Sequence, residues 1–168
     1  FLDTWLRVEA GQLNRASVLA ADLSEVAERH GFDTWRLRAA FLEAVVAGLA
    51  ALNADDVDRT SVTAHIATAT RLVDEVRTLE VNMYSTFYDA VLARLLIAAG
   101  QPEQARARVN TGLQLAEVTG MHFYDAELLR LRAQTHTDPA VGRIDLEAAL
   151  ELARRQGANL FELRAARD

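Results

Sequence analysis

The stretch AEVTGMHFY at residues 116–124 decides the reading of this chain. An alanine closes an apolar-periodic run, a glycine follows four residues later, and an aromatic stands four residues beyond the glycine. The same frame returns as AERHGFDTW at 27–35 and ARRQGANLF at 153–161, while VRTLEVNMY at 76–84 keeps the register with Glu80 in the glycine position. Glycine is the residue that enters the left-handed conformation just past a helix end. Gly31, Gly120 and Gly157 therefore mark helix ends, and Trp35, Tyr84, Tyr124 and Phe161 fall early in the helices that follow. The anchors Ala27, Val76, Ala116 and Ala153 are 49, 40 and 37 residues apart. With aromatics at 7% of the chain, four at one offset are not a chance pattern. A helical hairpin repeating at about 35–45 residues predicts an all-α fold, an α-solenoid in which stacked neighbours share one core. The aromatics are expected to plug the junctions between repeats.

Working outward, a second turn also repeats: Gly11-Gln12-Leu13-Asn14-Arg15-Ala16 matches Gly100-Gln101-Pro102-Glu103-Gln104-Ala105. Pro102 and Pro139 suit first helical positions, Asp138 is a good N-cap, and Asp33 is placed to cap the helix after Gly31. These signals predict helices over 1–10, 13–30, 33–53, 57–79, 82–99, 102–119, 122–136, 139–156 and from 158 onward. They make one helical-repeat domain of about four helix-turn-helix repeats (1–31, 32–80, 81–120, 121–157) plus the start of a further helix at 158–168. The chain opens and closes inside amphipathic patterns, so it is expected to be a piece of a longer protein.

Composition narrows the chemistry. The 168 residues include no cysteine, and all 18 basic residues are arginine. That excludes disulfides, thiolate nucleophiles and Cys-ligated metals, and also phosphate-loop or Schiff-base lysines. A net charge of −6 opposes non-specific nucleic-acid binding, which needs a basic surface. The second half carries Arg106, Arg108, Arg130, Arg132, Arg154 and Arg155, but interleaved acids make these solvated helix faces rather than a basic patch. The apolar run 39–52 is interrupted by Glu43 and is shorter than a membrane span.

No metal or cofactor is expected. His30, His65, His122 and His136 share no ligand spacing and read as isolated surface or capping residues. Asp55, Asp56 and Asp58 lack the glycine and the terminal glutamate of a calcium loop, and they suit a helix start instead. No nucleophile elbow is present, and the carboxylate pairs lie on polar helix faces, so no catalytic residue is assigned. Glu127 and Arg164 occupy the same register in consecutive repeats. They could form an inter-repeat ion pair or line an inner binding surface. The residues placed on such a concave surface, formed by the first helix of each hairpin, are Arg36, Arg38, Tyr88, Glu127 and Arg130.

The glycine turn, the first-helix aromatic and the Ala–x3–Gly helix end resemble tetratricopeptide-type repeats in a longer, divergent form. Residues 92–105 (LARLLIAAGQPEQA), 113–132 (LQLAEVTGMHFYDAELLRLR) and 146–166 (LEAALELARRQGANLFELRAA) resemble a C-terminal segment of large bacterial signalling proteins. Tyr124 to Arg132 and Glu162 to Ala166 match its most recognisable parts. Those proteins join an adenylate/guanylate cyclase-like domain or a LuxR-type helix-turn-helix to a STAND-class ATPase and then to such repeats. The resemblance implies a cytoplasmic, non-catalytic interaction or sensor module that regulates a linked ATPase, cyclase or transcription regulator. The alternative is an oligomerisation arm of the same protein, with no ligand of its own. The expected partners are another protein or other domains of the same chain, with a small-molecule inducer and a homodimer left open. Neither nucleic acid nor membrane is expected as a direct partner.

Overall fold

The computed structural model describes residues 1–79 and 84–168, all of them helix, turn or loop, with no strand among the described residues. The chain divides into two compact units, residues 1–81 and 82–168. The first holds α1 (Leu2–Glu9), α2 (Leu13–His30), α3 (Asp33–Leu52) and α4 (Arg59–Thr78). The second holds α5 (Ser85–Ala98), α6 (Pro102–Thr119), a 3₁₀ turn (His122–Tyr124), α7 (Asp125–Ala133), α8 (Pro139–Gln156) and α9 (Asn159–Arg167). Within each unit every helix packs mainly on its neighbours in sequence, the packing of an α-solenoid. The expected start at residue 82 lies outside the described residues.

The turn chemistry acts as anticipated at most ends. Gly31, Gly120 and Gly157 take φ of 68°, 71° and 64° at the C-caps of α2, α6 and α8. Asp138 accepts from the Ala140 N–H at 2.8 Å, and Asp58 accepts from Thr60 N–H at 2.9 Å. Asp33 does not cap. Phe32 holds the N-cap position of α3 without a side-chain bond, and Asp33, one residue inside the helix, pairs with Arg36 at 3.1 Å. The expected helix over 122–136 is shorter, because a 3₁₀ turn opens it and the α-helix ends at Ala133.

The second helices of the hairpins share a seam of small residues. Counting back from Gly31, Gly120 and Gly157, the position four before holds Ala27, Ala116 and Ala153, and the position fifteen before holds Ala16, Ala105 and Gly142, all buried. Between them, Ala20, Val109, Gly112 and Ala149 are buried too, with Leu23 and Leu146 half-buried. The spacing of four, three and four residues keeps one helix face. At Gly142 an added Cβ would lie 3.0 Å from the Ala133 carbonyl oxygen, and at Gly112 it would lie 3.0 Å from Asp89 Cβ. The seam thus lets α6 press on α5 and α8 on α7. Against it the first helices supply bulk: Phe87, Tyr88, Leu92 and Leu95 from α5, and Leu128 and Leu131 from α7, are fully buried.

The repeat aromatics split between the units. Tyr124 is 2% exposed and meets Phe87 and the half-buried Phe161 edge-on, with centroids 5.7 and 5.0 Å away. It is the junction plug that the sequence frame implies, whereas Tyr84 is only half-buried. Trp35 is 37% exposed and is not a core plug. It packs against Phe1 at 5.6 Å, and the Arg38 guanidinium lies 4.8 Å from its ring centre. An arginine on an aromatic face is itself an attractive pair, so a cation covers the ring where Tyr124 has apolar neighbours.

Candidate functional site

Seven residues past each frame glycine, or its Glu80 equivalent, the first helices carry Arg38, Phe87, Glu127 and Arg164. In the second unit this column builds a charged cluster inside the packing of α7 and α9. Glu127 is fully buried, and its carboxylate accepts two parallel bonds from Arg130 (Nε to Oε2 and Nη2 to Oε1, both 2.9 Å). Arg164 of α9 donates to the same Oε1 at 3.0 Å. Arg130 uses its remaining nitrogen on the Asp168 carboxylate. Burial alone would lower the Arg130 pKa, but the bonds from Glu127 and Asp168 outweigh it and hold the guanidinium above its ordinary value. The bidentate geometry is what a planar guanidinium provides and an ammonium does not. The ion pair anticipated between Glu127 and Arg164 is present, and it ties α9 to α7.

A second cluster closes the α7–α8 turn. Arg132 donates to both Asp145 oxygens, at 2.8 and 2.6 Å, and His136 Nε2 lies 2.9 Å from Oδ2. Burial would raise the Asp145 pKa, but Arg132 and His136 together keep it below the usual carboxylate range. Arg106 of α6 reaches the same turn through Thr135, bonding both its hydroxyl and its carbonyl. At the other end of α7, His122 Nδ1 sits 2.7 Å from Asp125 Oδ2. The bond to Asp125 raises the His122 pKa. Burial raises Asp125, and the His122 bond only partly offsets it.

These placements correct the concave-surface assignment. Arg38, Tyr88, Glu127 and Arg130 are 3%, 1%, 0% and 7% exposed, so four of the five residues lie inside the packing and line no open surface. The periodicity that placed them on one face of the first helices also places them against the next helix. Arg36 alone is exposed, and it pairs with Asp33. Of the six arginines expected on solvated faces, Arg154 and Arg155 are exposed, whereas Arg106, Arg108 and Arg132 are half-buried and Arg130 is buried. Each meets an acid: Arg106–Glu103, Arg108–Asp89, Arg130–Glu127, Arg132–Asp145, Arg154–Glu162 and Arg155–Glu151. Three of these pairs join different helices. His122 and His136, expected to be isolated, both have carboxylate partners. Register alone found Glu127–Arg164, whereas Arg132–Asp145 spans a turn that no repeat comparison predicts.

A hollow of about 600 Å³ is lined by Gly11, Gln12, Leu13, Asn14, Arg15, Ala50 and Asn53, a set with no carboxylate, imidazole or hydroxyl to do acid–base work. Among the described residues no three His, Asp or Glu side chains gather to hold a metal ion, and no helix is long and apolar enough to cross a membrane. The second unit exposes the large apolar side chains Val118, Phe123, Val141, Ile144, Leu160 and Leu163, beside exposed charged residues such as Glu117, Arg143, Glu147 and Arg167. Compared with known proteins, the chain matches no protein-family model, no curated protein and no solved structure.

Proposed function

We propose that this chain is a non-catalytic helical-repeat module, a protein-interaction and sensing arm that regulates a linked ATPase, nucleotide cyclase or helix-turn-helix transcription regulator in the bacterial cytoplasm. The observation that carries this reading is the division of labour on its surface. The buried and half-buried charges of the second unit are joined in pairs such as Glu127–Arg130, Glu127–Arg164 and Arg132–Asp145, while Ile144 and Leu163 stand 67% and 69% exposed. Exposed apolar residues on packed helices suit a protein partner, or another domain of the same chain, better than a small polar substrate. The resemblance of residues 92–166 to the repeat arm of STAND-class signalling proteins supports the same reading. Binding would regulate by favouring one of two inter-domain arrangements, which requires different affinities for the two.

The test is made in the parent protein. Deleting residues 1–168 should leave basal nucleotide turnover or DNA binding in place and abolish its response to the activating signal. An intact response in the deleted protein overturns the proposal. The same exposed side chains favour one alternative, an oligomerisation arm, for which light scattering of the isolated chain would show mass rising with concentration.

A further inference from the structure

We infer that the 3₁₀ turn His122–Tyr124 is a proton-operated latch on the joint between α6 and α7. With His122 protonated, its ring holds the buried Asp125 carboxylate and the turn stays closed; with His122 neutral, the turn opens locally. This goes beyond the interaction role proposed above and does not depend on it.

The latch lies where the chain departs from its own repeat. Two residues past Gly31 and Gly157 the α-helix begins at once, at Asp33 and Asn159. Two residues past Gly120 stands His122, and a 3₁₀ turn runs from it until the α-helix begins at Asp125. Such a turn sets side chains three apart one above the other. Here it brings His122 Nδ1 within 2.7 Å of Asp125 Oδ2. The same two positions hold Asp33 and Arg36 in α3, paired at 3.1 Å, but both are exposed and the cation is a guanidinium that keeps its proton. Asp125 instead is buried, and its other oxygen, Oδ1, accepts no hydrogen bond. The bond from His122 is thus what offsets taking this carboxylate out of water. A charged donor makes that bond about twice as strong as a neutral one. Once His122 loses its proton, opening the turn lets water reach Oδ1 and becomes the cheaper arrangement.

The surroundings set the sign. The Asp125 bond raises the His122 pKa above 6.5, so the closed form is full below 6.5 and is lost as pH rises through the higher folded value. Glu117, in the last turn of α6, acts on both groups and raises each. From α8, the uncharged Gln156 amide donates to the His122 carbonyl at 2.8 Å, while Arg154 and Arg155 are held by Glu162 and Glu151. In α5 Asp89 pairs with Arg108, and in α7 and α9 Arg130 and Arg164 both pair with Glu127. The turn also carries Tyr124, whose ring meets Phe87 and Phe161, so opening it loosens the plug between repeats.

Amide hydrogen exchange of the 1–168 chain, corrected for the intrinsic rate at each pH, reads such local opening. Protection over residues 121–128 should fall about twofold or more between pH 6 and pH 8, while residues 88–95 of α5 keep theirs. His122→Gln, which retains His136 and Asp145, should give the same protection over 121–128 at both pH values. Unchanged protection in the native chain overturns the inference, as does an equal fall over 88–95, which marks global unfolding. A fall that survives in His122→Gln also overturns it and assigns the response to His136 and Asp145. Independently of exchange, Asp125→Asn should lower the midpoint at which the His122 ring protons titrate by NMR, and an unmoved midpoint overturns the latch.

Discussion

Glu127 sits where a carboxylate is costly, fully enclosed between Arg130 and Arg164. Its stability contribution depends on keeping all three charges together, because removing one partner strands the others out of water. Glu127→Ala should therefore cost about 3–5 kcal/mol in urea unfolding, the range for breaking a buried ion pair from one side. Glu25→Ala, which removes the partner of Arg29 on the exposed face of α2, should cost under about 1 kcal/mol. Tyr124 gives a second test at this scale. Tyr124→Ala should cost about 3–5 kcal/mol, as expected for a fully buried ring. Trp35→Ala should cost clearly less, since its ring is 37% exposed. If the two substitutions cost the same, the difference in burial between the two frame aromatics is wrong.

At the scale of elements, the hairpins depend on how closely two helices approach. Alanine has the higher helix propensity, so a helical Gly→Ala change ordinarily gains about 1 kcal/mol. At Gly142 the new methyl would meet the Ala133 carbonyl oxygen at 3.0 Å, and backbone cannot step aside as a side chain can. Gly142→Ala should instead lower stability by about 1–3 kcal/mol, read as a lower thermal midpoint. Helix ends were legible in the sequence because a left-handed C-cap is a local matter, decided by one glycine and its preceding turn. Gly31, Gly120 and Gly157 therefore fell where expected. Exposure was not legible, because it depends on the neighbouring helix. One register holds both Tyr124, sealed by Phe87 and Phe161, and Trp35, covered by Arg38 on one face. The small-residue seam was present in the sequence at fixed offsets from the same glycines, but only packing distances show that it is a contact face.

For the molecule as a whole, pH acts through a few groups with opposite signs. His122 has its pKa raised above 6.5 by Asp125, so its contribution is full below 6.5 and is lost as pH rises through the higher folded value. Asp125 and Glu43 are raised by burial, so their ionised forms weigh against folding and that burden lifts as pH falls toward the usual carboxylate range. Asp145 is lowered, so its contribution is present above 3.8 and disappears as pH falls through its folded value. Thermal midpoints should rise from pH 8 to pH 5 and then fall below pH 3.8. His122→Gln should flatten the first limb, and Asp145→Asn should flatten the last.

The ionic joints between helices carry one further consequence. Every permanent cation in them is a guanidinium, which stays protonated at any pH a cell reaches and is no substrate for acyl transfer to an amine. Enzymes that silence charge by acetylating lysine therefore find no target in residues 1–168, and a succinimidyl ester should leave Arg130, Arg132 and Arg164 unmodified in peptide mass maps.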